Sequence, residues 1–577
     1  MRIFGRLAPE LFLVGITILY AIVEQGRWIT PLGDFGIWMS HMQTLARGGR
    51  PLHEVRLMYG PGSIWALDVA RRLFGSRVST LAGLDFVAGL GAGLLCLRLF
   101  DDLLSYRLRW ATSVLIAGLV FFMPDSGSLL YPYAPAVSLG LVLLLGALLL
   151  GFPRSRAAGP LRHSAAFLLA AAAYLTKQEI GIAAFLGLTA GNLAVAGLAR
   201  KLALLARGTS LFVLGVLVGY ASCLQGETFL QLSRDNQLWP FFRAPASFVR
   251  LYLNLAGIDE PFRTLRGALG GSALIAMLGS GVVLVWHHGS DGGSPSRRVG
   301  VVAAIGALVC LVLMLAGERA FSPIAAAPVL LVPEALRSWK ERKSTPRRMA
   351  MLFSGAPLLL RAGFRGSAQG PFFGLGMLLL IPLLVESVGR FPETLVIEPR
   401  RQIPPLERGW AVALIAIAAA FTGSRMIQLR AIHQESVPAD TPRGRVWLPS
   451  RWRGAFQDIG RWLTNSPGDE PVAILPETHG LDFLFSRQNA SPIPNPVPGI
   501  MDQRLESEIL GRWRERPPAL VVVFEDPYPV FDSRGFGRDF GQELSSWISE
   551  RYERAVPRRE WPIAYSIYRR SAEPVVR

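Results

Sequence analysis

The sequence predicts a polytopic α-helical membrane protein that carries a C-terminal extracytoplasmic α/β domain. Three observations predict it. First, 51% of the 577 residues are hydrophobic and mean hydropathy is +0.34. Second, apolar runs near the ~20 residues needed to cross ~30 Å of hydrocarbon recur from 10 to 424. Third, basic residues gather in short loops between those runs, as the positive-inside rule requires of cytoplasmic segments. Counting runs and loop charges gives about 13 spans.

The elements follow in order. Arg2 and Arg6 precede the first run, about 9–23, and place the N-terminus in the cytoplasm. No small-residue cleavage site is clear, so this run reads as a retained span. The first outer loop, 26–78, is too polar to cross a bilayer and holds two amphipathic segments, from Phe35 to about Ala46 and from Pro61 to Phe74. The second span covers about 80–100, the third ends at Met123, and the fourth ends near Gly151. The fifth ends at Leu175-Thr176-Lys177-Gln178-Glu179, the sixth returns, and the seventh ends near Cys223. An outer loop over 226–266 contains Trp239-Pro240-Phe241-Phe242-Arg243. Further spans lead to a last one at about 410–422, with short runs at 323–336 and 349–360. An odd count puts the C-terminus outside, and the chain divides into a membrane region, 1–424, and an outer domain, 425–577.

In that outer domain, apolar β-type runs at 472–475, 520–524 and 563–568 alternate with amphipathic helical patterns at 451–463 and 504–514. Alternating strands and helices predict a small α/β unit.

Composition narrows the function. The formal net charge of +18 would suggest nucleic acid in a soluble domain, but here the excess sits in short inter-span loops. Cys96, Cys223 and Cys310 lie far apart in apolar runs, without metal-ligand spacing. No GxxxxGK[ST] or HExxH motif occurs. Asp101-Asp102 falls on the cytoplasmic side, and Glu525-Asp526 reads as a surface turn. The residues call for no cofactor and leave a divalent metal open.

The informative residues are polar groups at outer span ends, because ionisable side chains at membrane depth are costly. Asp34, Asp125 and Glu179 are the outward carboxylates, and Lys177, Arg319, Arg361 and Arg365 the outward cations. A carboxylate can take a proton from an acceptor hydroxyl or amine, and fixed cations can stabilise a departing phosphate. His41, seven residues beyond Asp34, is placed to reach an acceptor, and Tyr59 to line the site. Blander roles stand beside these: Asp34 suits a helix N-cap, Lys177 a snorkelling span-end lysine, and Asp125 a local turn.

The ordered set Gly33-Asp34-Phe35-Gly36, Gly48-Gly49-Arg50-Pro51-Leu52, Tyr59-Gly60-Pro61 with Leu73-Phe74-Gly75, and Leu175-Thr176-Lys177-Gln178-Glu179 resembles the GT-C glycosyltransferases. The closer likeness is to the branch of the dolichyl-phosphate-mannose protein mannosyltransferases and the bacterial lipid A aminoarabinose transferases. The resemblance implies a GT-C-like fold in a bacterial inner (plasma) membrane. It also implies inverting transfer of a sugar from a polyprenyl-phosphate donor to a lipid, glycan or protein acceptor on the outer face. Asp34 then matches the catalytic acid of the first loop and Lys177 a donor-phosphate contact. Phe35 stands where protein mannosyltransferases commonly carry Glu after the Asp, which puts a protein acceptor in doubt. The competing expectation is a multi-span transporter or flippase, although no internal repeat of the kind transporters show is visible. A non-catalytic envelope scaffold is the third.

Overall fold

The computed structural model describes residues 2–236 and 404–571, apart from short interruptions, together with 346–362 and 378–385. The chain opens with α1 (Arg2–Glu24), whose Leu11, Ile18, Leu19, Ile22 and Val23 stay exposed. On a helix long enough to cross a bilayer, such a stripe faces lipid. Two helices fill the stretch expected as the first outer loop, α2 (Asp34–Ala46) and α3 (Gly62–Phe74). Then come α4 (Val78–Leu99) and α5 (Tyr106–Ile116), which continues as a π-helical turn over Ala117–Phe121. Next are α6 (Pro135–Gly151), α7 (Pro160–Thr176), α8 (Gln178–Val195), α9 (Leu198–Ala221) and the short α10 (Phe229–Asp235). The expected run at 349–360 forms α11 (Pro346–Ala362), and the last expected span forms α12 (Pro404–Gln434). That helix carries on past 424 and leads directly into the first strand.

Among the described residues, Leu7–Glu24, Val78–Leu99 and Leu202–Ala221 are long and apolar enough to cross a membrane, and Pro135–Gly151 is a shorter apolar helix. Several such helices in one chain fit a multi-pass membrane protein. The expected loop at 239–243, the short run at 323–336 and the outer turn at 317–319 lie outside the described residues.

Buried polar groups lock the helices together. Arg109 of α5 donates to Glu10 of α1 at 2.5 Å and also pairs with Asp101. Arg347, at the start of α11, donates to the Leu99 carbonyl at 3.1 Å and to the Phe152 carbonyl at 2.6 Å. It thereby satisfies carbonyls left open where α4 and α6 end. Small residues permit close helix packing: a Cβ on Gly187 of α8 would stand 1.9 Å from Ser354 Oγ of α11.

The C-terminal unit begins with an antiparallel pair, β1 (Ser436–Thr441) and β2 (Gly444–Pro449). It continues through α13 (Arg453–Asn465), β3 (Val472–Leu475), α14 (Leu481–Leu484), α15 (Gln503–Glu515), β4 (Leu520–Phe524), α16 (Gln542–Arg551), β5 (Tyr552–Arg559) and β6 (Tyr565–Arg570). The four-stranded sheet has the order β3-β4-β6-β5, with β3 and β4 parallel and the other pairs antiparallel. The all-apolar runs of β3 and β4 are what a sheet covered on both faces requires, and every residue of both is buried.

This unit seats directly on α2. Ser40 Oγ donates to Asp482 Oδ1 at 2.5 Å and lies 2.8 Å from Thr478 Oγ1. Gln43 Nε2 donates to the Arg487 carbonyl at 3.2 Å, and Arg443 Nη2 donates to Gln43 Oε1 at 3.1 Å. A Cβ on Gly36 would stand 2.7 Å from the His479 carbonyl carbon, so only glycine permits the approach. Between the C-terminal unit on one side and the first helices on the other, α2 buries ten residues, Phe35 to Gln43 and Leu45. It is a packed core helix rather than an interfacial one. By contrast α3 leaves Trp65, Val69, Leu73 and Phe74 exposed, as a helix at a membrane surface does.

Two outcomes are expected. Replacing Arg109 with Leu strands the buried Glu10 carboxylate and costs ~3–5 kcal/mol, whereas Glu10→Leu together with Arg109→Leu costs markedly less than Arg109→Leu alone; melting curves in lipid check both. Burial raises Asp482 from its ordinary 3.8 to about 6, against the Ser40 hydrogen bond, which lowers it. The folded state therefore holds this proton more tightly than the unfolded chain. Its contribution to stability is full below about pH 3.8 and is lost as pH rises through about 6. Asp482→Asn, which keeps an acceptor for Ser40, should gain in melting temperature over wild type progressively across that interval. A constant difference at all pH values would contradict the assignment.

Candidate functional site

Gly33, with φ +69°, takes the N-cap of α2, and Asp34 is the first helical residue. The N-cap role open to Asp34 in the sequence is therefore taken by its neighbour. Asp34 is half-buried. One turn further along the same face stands Trp38, at i+4, fully buried. The Trp38 ring stacks on Tyr59 with centroids 6.2 Å apart and planes 14° from parallel. On Tyr59 in turn sits Lys177, its Nζ 3.7 Å from the ring centroid. Lys177 is 1% exposed and adopts extended backbone between α7 and α8.

Backbone contact fixes this chain of groups. A Cβ on Gly60 would stand 2.1 Å from the Leu175 carbonyl oxygen, and one on Gly62 would stand 2.8 Å from Thr176 Oγ1. Two motifs separated by more than a hundred residues, Tyr59-Gly60-Pro61 and Leu175-Thr176-Lys177, thus lie one on the other. A desolvated ammonium over an aromatic face is worth about 2 kcal/mol or more, which offsets part of the cost of burying Lys177.

The structure brings Tyr59 and Lys177 into one packed series with Trp38, and Asp34 lies one helical turn before Trp38. Glu179 joins it by position, half-buried in the first turn of α8. His41 is placed differently from the expectation. It is 2% exposed, packs edge-on against Trp38 at 5.9 Å, and burial pushes its pKa down to about 3, so it stays neutral. Arg361 lies in α11. Asp125, Arg319 and Arg365 lie outside the described residues. Among the described residues no group of three or more His, Cys, Asp or Glu is arranged to hold a metal.

The C-terminal unit adds polar residues at the ends of its parallel strands, and the sequence marks only Glu525-Asp526 among them, as a surface turn. Glu477, Thr478 and His479 follow β3, and Glu525 and Asp526 follow the parallel neighbour β4. Burial raises Glu477 to about 7 and lowers His479 to about 4, with Asp526 acting in the opposite direction on His479. Glu525-Asp526 is more than a surface turn. Glu525 bonds Ser566 and pairs with Arg554 and Arg558, while Asp526 accepts from the Ala564 amide at 3.3 Å. The available signal was an acidic residue just past the end of two all-apolar runs, since parallel strands gather ligands at their carboxyl ends.

No family model matches the chain, and no curated protein matches it. Solved structures do. The chain is similar to ArnT from Cupriavidus metallidurans bound to undecaprenyl phosphate, with TM-score 0.50 and 13% identity over 96% of this chain and 97% of that one. It is also similar to the Archaeoglobus fulgidus oligosaccharyltransferase in the apo form, with TM-score 0.50 and 13% identity over 99% of this chain and 75% of that one. At 13% identity these likenesses show that the chain shares the fold of those two structures.

Proposed function

We propose that the protein is a membrane glycosyltransferase that moves a sugar from a polyprenyl-phosphate donor to an envelope acceptor on the outer face, with inversion. The observation that supports this reading is the packed series Trp38, Tyr59 and Lys177, which begins one helical turn after the Asp34 carboxylate. The undecaprenyl phosphate bound in the similar ArnT structure supports the donor class. In the reaction, the Asp34 carboxylate takes the proton of an acceptor hydroxyl or amine. The freed lone pair attacks the anomeric carbon, and the bond from that carbon to the phosphate oxygen breaks on the opposite face. The polyprenyl phosphate leaves with the bonding pair. Lys177, shielded from water and therefore little screened, stabilises the charge that builds on that phosphate. Tyr59 positions Lys177 by holding the ammonium over its ring. Glu179, Asp125, Arg319, Arg361 and Arg365 remain further candidates for donor or acceptor contact. The setting is a bacterial plasma membrane with the C-terminal unit outside.

The test is release of radiolabelled polyprenyl phosphate-linked sugar by purified protein in lipid, with a membrane extract as acceptor. Asp34→Asn should fold and lose transfer by about 10²–10⁴-fold. Lys177→Met should lose about 10²–10³-fold in kcat, with Tyr59→Phe close to wild type because the ring face remains. Transfer by Asp34→Asn at the wild-type rate would remove the base assignment. Transport of solute by a wild type that transfers no sugar would replace the enzyme with a carrier.

A further inference from the structure

Asp34 stands at the start of α2, and a second polar cluster is pressed against that same turn. Strands β3 and β4 run parallel, with Leu475 beside Val523 in register. Their carboxyl ends deliver Glu477 and Asp526 to one edge of the sheet. In open α/β sheets that edge is where ligands bind. Here only the 478–480 part of that edge is closed, by α2. His479 and Gly480 come within contact of Gly36, two residues past Asp34, and Gly480 also meets Met39. Thr478 reaches Ser40.

Two features show that this edge is shaped for more than packing. His479 adopts φ +47°, followed by Gly480 at φ +66°. A left-handed conformation at a residue other than glycine costs free energy, and such residues gather where a side chain must be aimed. Glu477 is crowded by protein yet still reached by solvent, and among the described residues it has no recorded hydrogen-bond or charge partner. The His479 Nδ1 is buried, also without a hydrogen-bond partner among the described residues. Beside them stands an aromatic group. The His479 ring lies 5.0 Å from Trp452 and 4.9 Å from Phe524, edge-on to both. Trp452 remains half-exposed. Arg451 and Arg558 lie near Asp526 and keep that side of the cluster balanced in charge.

Polar groups able to both donate and accept, next to a part-exposed indole, match a sugar ring, which offers hydroxyls at its rim and C–H groups on its face. We propose that the edge where the 477–480 loop and the end of β4 meet the first turn of α2 binds a saccharide ring, with Glu477 hydrogen-bonding its hydroxyls and Trp452 lying against its face. On the proposed function, on which this identification rests, that saccharide is the acceptor, so the acceptor is a glycan or a glycolipid headgroup and not a bare peptide. The C-terminal unit then selects the acceptor and delivers its hydroxyl beside Asp34. A Glu477 carboxyl that holds its proton near neutral pH donates to the sugar, and one that has lost it accepts.

The experiment is saturation-transfer NMR on the full chain in lipid nanodiscs, which avoids sugar detergents. The probes are methyl glycosides of glucose, galactose, mannose and N-acetylglucosamine. At least one should show saturated ring protons with wild type. Glu477→Gln and Trp452→Leu, each with a wild-type melting curve, should weaken that binding by roughly tenfold, the loss expected for one buried hydrogen bond or one stacked ring. The two changes sit on different elements, so each reads independently of a folding defect in the other. Absence of binding to every probe, or binding by both variants at wild-type strength, overturns the inference. Wild-type turnover of a polyprenyl-phosphate sugar, measured in parallel, reports on the proposed function alone. Glycoside binding that depends on Glu477 without any donor turnover leaves the site standing and removes the transferase reading. Donor turnover without glycoside binding does the reverse.

Discussion

The packing around α2 depends on the close approach of Gly60 to the Leu175 carbonyl. No side chain fits between them, since even a Cβ would stand 2.1 Å from the oxygen. That contact sets the depth at which the Tyr59 ring meets Lys177, and the ring in turn sets Trp38. A buried ammonium is tolerated only where other groups compensate its lost hydration. The aromatic face contributes to that compensation, and the stack that supplies it also registers α2 against the junction of α7 and α8.

From α2 the constraint passes outward. The helix is buried on both sides, so the C-terminal unit cannot shift without breaking the Ser40, Thr478 and Asp482 cluster. A carboxyl raised to about 6 by burial makes that interface weaker when ionised. The proteins that share this fold at 13% identity retain little sequence, which fits a scaffold held by a few close contacts and many interchangeable apolar ones.

Much of the scaffold was legible in the sequence because it follows from periodicity and length. The apolar runs that become α1, α4, α6 and α9 are visible as spans, and the β3 and β4 runs as buried strands, because burial on all sides demands uninterrupted apolar residues. β5 was not legible, since Tyr552–Arg559 carries charges at half its positions and pairs with β6. The candidate residues Asp34, Tyr59 and Lys177 were legible as polar groups at expected outer ends, but the stacking of Tyr59 with Trp38 and Lys177 was not. It arises from a glycine meeting a carbonyl more than a hundred residues away, which leaves no periodic trace. His41 misled for a related reason. Spacing along a helix says which face a residue shares and not what covers that face, and here His41 is buried with Trp38 packed against it. The same blindness hid Glu477 and His479, whose significance comes only from the docking of their loop on Gly36.

The most direct test is an experimental structure of the protein in lipid with polyprenyl phosphate bound. The account predicts the phosphate on the Tyr59 side of α2, in contact with Lys177, with the bond to be broken facing Asp34. A phosphate bound elsewhere, with Lys177 still sealed beneath Tyr59 and Asp34 turned away from it, would contradict the account.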